Sequence, residues 1–435
     1  MRYPAIESVL FSANRKRFMR KMQPDSLAIF YSNDLIPKEG SVYYPFRQNP
    51  GLFYLSGLDQ PETVLVLFPD CIKDDFQELV FIKRADVFSQ LWEGSSLDKE
   101  EARHRSGVHR VYWLDDMPAI LHELIIMAKR IYVNTDEDLH LNTTFESKNK
   151  REAKVLMQRY PAHKYHRSQP LLKKLMMIKH PIEARMIQEA VNITNKAFHR
   201  VMNFVKPGVH EFEVEAEVTH EFITNRANGH AYLPIIASGK RSCILHYTKN
   251  NQICQDGDLL LLDIGAEFAN YASDITRVIP VNGQFNPRQK AVYQAVLSVL
   301  KEAKQMLVPG VHLDDYHREV GKMIESALID LRLLSRAEIN QQNQDYPLYK
   351  KYCMHSISHH LGLGVHDLAN HYEPLMAGMV FTCEPGIYIP EEGIGVRIEN
   401  DILVTDDSPI DLSKNIPVEV EEIEEYMNAS ILSEP

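Results

Sequence analysis

Two stretches decide the fold. The first is Gly257-Asp-Leu-Leu-Leu-Leu-Asp263-Ile-Gly265, continued by Tyr271-Ala-Ser-Asp274-Ile-Thr-Arg277. The second is Gly378-Met-Val-Phe-Thr-Cys-Glu384-Pro-Gly386, continued by Gly395-Val-Arg-Ile-Glu399-Asn-Asp401. Each opens on Gly, runs through a short apolar segment and reaches a carboxylate two residues before another Gly. Each then returns through a second apolar segment bearing a second carboxylate. Short apolar runs between glycines read as strands, so each stretch predicts a β-hairpin that donates two acids.

The repetition extends upstream. Lys206-Pro-Gly-Val-His210 and Val308-Pro-Gly-Val-His312 each stand between two helical patterns. These are Pro181–Phe204 and Glu211–Thr224 in one case, 287–307 and 313–331 in the other. A Pro-Gly pair ends one helix and turns the chain into the next. Residues 175–410 therefore predict two copies of helix, helix, hairpin. Facing each other about a pseudo-two-fold axis, the copies would bring both acid pairs to one centre.

His359 joins them there. One imidazole with Asp263, Asp274, Glu384 and Glu399 makes a divalent-metal set. Carboxylates suit Mn²⁺-like ions, and the imidazole admits Co²⁺, Fe²⁺ or Zn²⁺. Such a set cannot be buried unless cations neutralise it. Two ions ~3.5–4 Å apart could share Asp274 and Glu399 as bridges. One ion would add Asp263, the other His359 and Glu384. That design suits hydrolysis. His246, His355, His360 and His366 surround it in the sequence, and an imidazole beside the ions can hold an intermediate's oxygen or a leaving nitrogen. His360 reads as structural.

The rest of the chain bounds the function. With 435 residues there is room for two or three domains. A net charge of −11 argues against a nucleic-acid surface. Part of that charge lies in the acidic tail, 419–425, which reads as a solvated helix without assigned function. The five cysteines are scattered, form no CxxC, and fit reduced thiols in the cytoplasm. Cys383 reads as a small buried residue, not a nucleophile. The first 18 residues carry charges and no apolar core, so no secretory leader is expected. No apolar run approaches the ~18 residues of a membrane span.

Residues 1–172 read as a separate α/β domain, and 173–435 as the catalytic one. In the first, 27–32, 62–68, 78–82 and 130–134 read as strands and 117–129 as a helix. The basic segment 163–175 reads as a connector. Trp92, in Gln90-Leu-Trp-Glu-Gly94, is expected in a polar loop, where it would reach a site, meet a subunit or pack locally.

Three further segments carry a resemblance: Ser358-His-His-Leu-Gly-Leu-Gly-Val-His-Asp367, Glu384-Pro-Gly-Ile-Tyr388 and Arg397-Ile-Glu-Asn400. With Tyr44-Pro-Phe-Arg-Gln-Asn-Pro-Gly-Leu-Phe-Tyr-Leu-Ser-Gly57 they make the chain resemble the proline-specific pita-bread metallopeptidases of the aminopeptidase P type. The resemblance implies an α/β N-terminal domain followed by an α+β pita-bread catalytic domain. It implies two divalent ions, usually Mn²⁺, held by Asp263, Asp274, His359, Glu384 and Glu399. His246, His366 and Glu384 would be catalytic, with Glu384 moving protons. His246, His355, His366 and Arg397 would face the substrate, Arg397 also orienting carboxylates.

The implied reaction removes an N-terminal residue that precedes proline. Proline has no amide hydrogen and a fixed φ, so a pocket shaped for its ring is needed. A homodimer or homotetramer is implied; membrane and nucleic-acid partners are not. The nearest alternative is a prolidase acting on Xaa-Pro dipeptides. The large N-terminal domain argues against a methionine aminopeptidase. The intact ligand set argues against the metal-free creatinase type and against a non-catalytic peptide-binding module. The loop around Trp92 and the short stretch between Asp367 and Glu384 depart from the family pattern, away from the ligands.

Overall fold

A computed structural model describes residues 2–84, 91–92, 94, 96–137, 145–343, 345–370 and 372–431. The chain divides into two compact units, Tyr3–Met176 and Met177–Pro435.

The first unit is built on a six-stranded mixed sheet. Its strands run in the order Arg110–Trp113, Glu78–Ile82, Thr63–Leu67, Ser26–Tyr31, Arg130–Val133, Lys164–Arg167. The central strands are buried along their whole length, as strands covered on both faces must be. Leu27, Ile29, Val66, Phe81 and Ile131 pack with Leu124 and Ile125 of the helix Met117–Met127. The segment expected to be a connector is instead the edge strand Lys164–Arg167 and the helix Gln169–Met176. Its alternation of charged and aromatic residues hid a strand with one wet face. The strand Arg110–Trp113 was not anticipated either. Trp92 is 76 % exposed, and its neighbours 85–90, 93 and 95 lie outside the described residues.

The second unit shows the two copies. Helices Pro181–Phe204 and Glu211–Thr224 form the first pair, Pro287–Ala303 and Leu313–Asp330 the second. In the first helix Ile187, Ala190, Val191, Thr194, Ala197, Phe198 and Val201 are buried, a three-four spacing that gives one apolar face. The second helix of each copy begins just past a Pro-Gly turn, with Gly208 at φ 97° and Gly310 at φ 90°.

The hairpins are more broken than a simple reading suggests. Leu259–Ile264 pairs with Ile275–Pro280, and a small arm, Ala266–Phe268 with Tyr271–Ala272, projects between them. Val380–Cys383 pairs with Asn400–Leu403, and Gly386–Ile389 with Ile394–Arg397 projects likewise. Asp274, Glu384 and Glu399 lie at these breaks, and Asp263 is one residue from its strand's end. Side chains of both strands can converge there without interrupting a ladder.

Gly265 shows why a glycine must follow. A Cβ at that position would stand 1.9 Å from the Ser273 carbonyl oxygen, so any side chain would push Asp274 away.

The acidic tail packs rather than floats. Val420, Ile423 and Met427 of the helix Val420–Ile431 are buried, and Glu421 pairs with Lys290 at 2.7 Å.

Candidate metal centre

The five metal-ligand candidates meet. Asp274, His359 and Glu399 each present a ligand atom, all within 4.8 Å of one another. His359 Nε2 lies 3.3 Å from Asp274 Oδ2 and 3.5 Å from Glu384 Oε1. Tyr232 ties Asp263 to Asp274: its hydroxyl lies 2.6 Å from an oxygen of each. It donates its one proton to one of them at a time.

The imidazole is held in a metal-ready tautomer. His359 Nδ1 faces the His360 carbonyl at 3.2 Å. A carbonyl only accepts, so Nδ1 carries a hydrogen and Nε2 is the nitrogen turned to the carboxylates, where an ion would take the place of its proton.

Ties between the two copies fix the acids. Thr276 Oγ1 donates to Glu399 Oε2 at 2.6 Å. The Asp274 amide donates to Asp401 Oδ2 at 3.1 Å, and Arg277 donates to the Glu399 carbonyl at 2.7 Å. Arg397 is 4 % exposed and spends its guanidinium on Asp263, on Thr276 Oγ1 at 3.1 Å and on the Tyr388 hydroxyl at 2.7 Å. It is thus engaged with the carboxylate cluster.

The remaining candidates are His246, His355 and His366. His366 is exposed, its ring 4.5 Å from that of His359 and nearly perpendicular to it. His355 Nδ1 faces the Ser356 carbonyl at 2.7 Å, so its Nε2 accepts from the Tyr388 hydroxyl at 2.8 Å. Glu384 Oε2 lies 3.4 Å from the same Nδ1. Burial and the Arg397 charge push the pKa of His355 down to about 3, which keeps it neutral. His246 is exposed and close enough for His355 to feel its charge. His360 is buried, its ring 4.1 Å from Phe381.

The electrostatics fit a cation. Burial pushes Asp263 and Glu399 up, and Glu384 to about 7, with mutual repulsion adding to the effect. Arg397 offsets only part of this. Burial opposes a charge on His359, yet its hydrogen bond to Asp274 and the nearby carboxylates outweigh it and raise its pKa to about 9. Four buried carboxylates share one guanidinium and one imidazolium, and oxygen-rich donors with one imidazole match a hard or borderline divalent ion.

A pH dependence follows for the metal-free protein. A carboxyl raised in the fold is penalised once it must ionise, so its contribution to stability is lost as pH rises through the folded value, about 7 for Glu384. The His359 contribution is present below its unfolded value and is lost as pH rises through about 9. Both run in one direction. The rise in Tm on adding Mn²⁺ should therefore grow between pH 5 and 8, by roughly 5–10 °C. Thermal unfolding with EDTA or Mn²⁺ at three pH values checks this. A shift independent of pH would show that these groups do not bind the ion.

Tyr232, Tyr388, Thr276 and Asp401 were not singled out from sequence. Thr276, Tyr388 and Asp401 stand inside the quoted motifs. Tyr232, in Ala231-Tyr-Leu-Pro234, carries no periodic or spacing signal.

Two half-copies of the second unit converge on a buried carboxylate–imidazole centre suited to a divalent ion, the kind of centre a metal-dependent hydrolase uses. The comparisons make this specific. Residues 185–406 match metallopeptidase family M24, and residues 11–132 match the aminopeptidase P N-terminal domain. The chain belongs to metallopeptidase family M24, with the domain arrangement of the aminopeptidases P, and is a metalloaminopeptidase.

It is 33% identical over 432 residues to the Xaa-Pro aminopeptidase of Haemophilus influenzae, covering 96% of this chain and 97% of that one. It is 32% identical to the human Xaa-Pro aminopeptidase 3, covering 97% and 86%. The solved structure of aminopeptidase P from E. coli with the inhibitor Pro-Leu superposes with a TM-score of 0.87 at 31% identity, covering 99% of this chain and 100% of that one.

Proposed function

We propose that this enzyme removes the N-terminal residue from peptides with proline in the second position, using two divalent ions, Mn²⁺ first among them. The carrying observation is the convergence of Asp263, Asp274, His359, Glu384 and Glu399 from both copies on one buried point. When bound, such a pair supplies a nucleophile from water at neutral pH and polarises a carbonyl.

The chain's own residues do the rest. Asp263, Asp274, His359, Glu384 and Glu399 would hold the ions, Asp274 and Glu399 from the centre of the cluster. Glu384 takes a proton on a carboxylate oxygen and returns it to the leaving proline nitrogen, which has no hydrogen of its own. His366 and His246 stabilise the oxygen that gains charge and hold the substrate backbone. His355, kept neutral, lines the pocket and supports Glu384. Arg397 contributes by fixing Asp263 in the orientation that an ion needs. A peptide's free α-amino group would lie near Asp263, which confines cleavage to the first bond.

The enzyme is proposed to work as a homodimer or homotetramer. All five cysteines are free thiols, which supports a place in the reducing cytoplasm. No described helix is long and apolar enough to cross a membrane.

The test is an assay of Mn²⁺-loaded protein on an Xaa-Pro dipeptide and on Xaa-Pro-Yaa-Yaa, with products identified by mass. Release of the first residue from the tetrapeptide is expected. Cleavage of the dipeptide alone would make the enzyme a prolidase, and cleavage of neither with metal bound would leave peptide binding without catalysis.

A further inference from the structure

His246 is an exposed residue on the stretch between Ser238 and Gln252, most of which has no regular structure beyond the short turn Gly239–Cys243. Such a stretch cannot place an imidazole unless something outside it holds it. Gly395, Glu215 and Asp258 each hold one point of it, through Ser242, Asn250 and Ser238, and one side chain holds four. Glu211, the first residue of the helix Glu211–Thr224, is 0 % exposed and reaches across the base of this loop. Its Oε1 accepts from the Ser238 amide at 2.9 Å and from Arg241 Nε at 3.3 Å. Its Oε2 accepts from the Tyr247 hydroxyl at 2.7 Å and from the Gln252 amide at 2.9 Å. The carboxylate thus grips both ends of the loop, a point within it, and the residue next to His246. Its backbone closes the same ring, since the Glu211 amide donates to the Gln252 carbonyl at 2.9 Å.

The chemistry makes the carboxylate hard to replace. All four groups that touch it are donors, and an ionised carboxylate is an acceptor on both oxygens. A glutamine of the same shape would turn an NH₂ toward two of those donors and lose both bonds. The negative charge also sits at a helix N-terminus, where exposed amides favour it. Nothing places Glu211 at the metal centre: its partners are loop atoms, and the loop is what carries His246.

We infer that Glu211 is a positioning residue, a four-point clamp that sets the loop 238–252 and through it the imidazole of His246. This rests on the proposed role of His246 at the substrate. Misplacement of a catalytic group by about 1 Å costs about 100-fold in rate, so Glu211→Ala should lower kcat by up to that factor while metal content stays full. Glu211→Gln, which keeps half the bonds, should lose less. Tyr247→Phe, which removes only the hydroxyl shared between Glu211 and Asn251, should lose least.

Two measurements separate the clamp from the role of His246. The first is amide hydrogen exchange. In Glu211→Gln and Tyr247→Phe, amides of 238–252 should exchange faster, with the strands Leu259–Ile264 and Val380–Cys383 unchanged. Unchanged exchange in the loop would overturn the clamp whatever His246 does. The second is a double-mutant cycle on kcat with His246→Ala. The loss from Glu211→Gln should vanish once His246 is gone. An equal loss in both backgrounds would overturn the positioning role while leaving His246 at the substrate. A full kcat in His246→Ala alone would instead remove the reading of His246, and the inference with it.

Discussion

Asp274→Ala is expected to empty the metal centre and stop turnover. Asp274 is the group that His359, Tyr232 and the Asp401-held backbone all address, and it lies within ligand distance of Glu399. If Asp274 bridges the ions as proposed, its loss should exceed the ~10–100-fold loss of metal affinity seen when a supporting group is removed. The stabilisation that a bound ion gives a transition state is several kcal/mol, so kcat/KM should fall by about 10³-fold or more. Metal analysis of the dialysed variant, alongside its kinetics, gives the result directly. Two ions per chain with normal turnover would remove Asp274 from the ligand set. Glu399→Ala should behave the same way, because Thr276 and Arg277 fix it as firmly.

His366→Ala should give the opposite combination. The ring stands edge-on to His359, and the clustered ligand atoms come from Asp274, His359 and Glu399, so the ions should stay. If His366 stabilises the oxygen that develops charge, kcat should fall by roughly 10²–10³-fold. KM should change little. An unchanged kcat with a raised KM would make His366 a binding group only.

The legible part of this molecule was the part that repeats or alternates. The helix bounds Pro181–Phe204 and Glu211–Thr224 follow from a three-four apolar spacing and Pro-Gly stops, and these are local signals. The clustering of the acids was legible because four acids on apolar segments make no physical sense without a cation. The breaks in the hairpins were not, since a projecting arm such as Gly386–Ile389 with Ile394–Arg397 reads as one continuous strand from composition. The strand Lys164–Arg167 was missed because its burial depends on a neighbour, Arg130–Val133, far back in the chain. Tyr232 and Glu211 were invisible for a related reason. Their importance lies in what they touch, Asp263 and Asp274 in one case and a whole loop in the other, and no spacing along the chain records that.

The way the two copies hold each other's acids has a historical implication. Asp401 grips Asp274, and Arg277 and Thr276 grip Glu399, so neither acid pair is complete with its own half alone. A peptide chain of one copy could have formed such a centre only by meeting another like itself, and dilution would have dissolved it. Joining the copies end to end makes the encounter intramolecular, at an effective concentration of about millimolar or higher. The link also frees the two halves to diverge, so that one can acquire a histidine at the ions without the other having to follow.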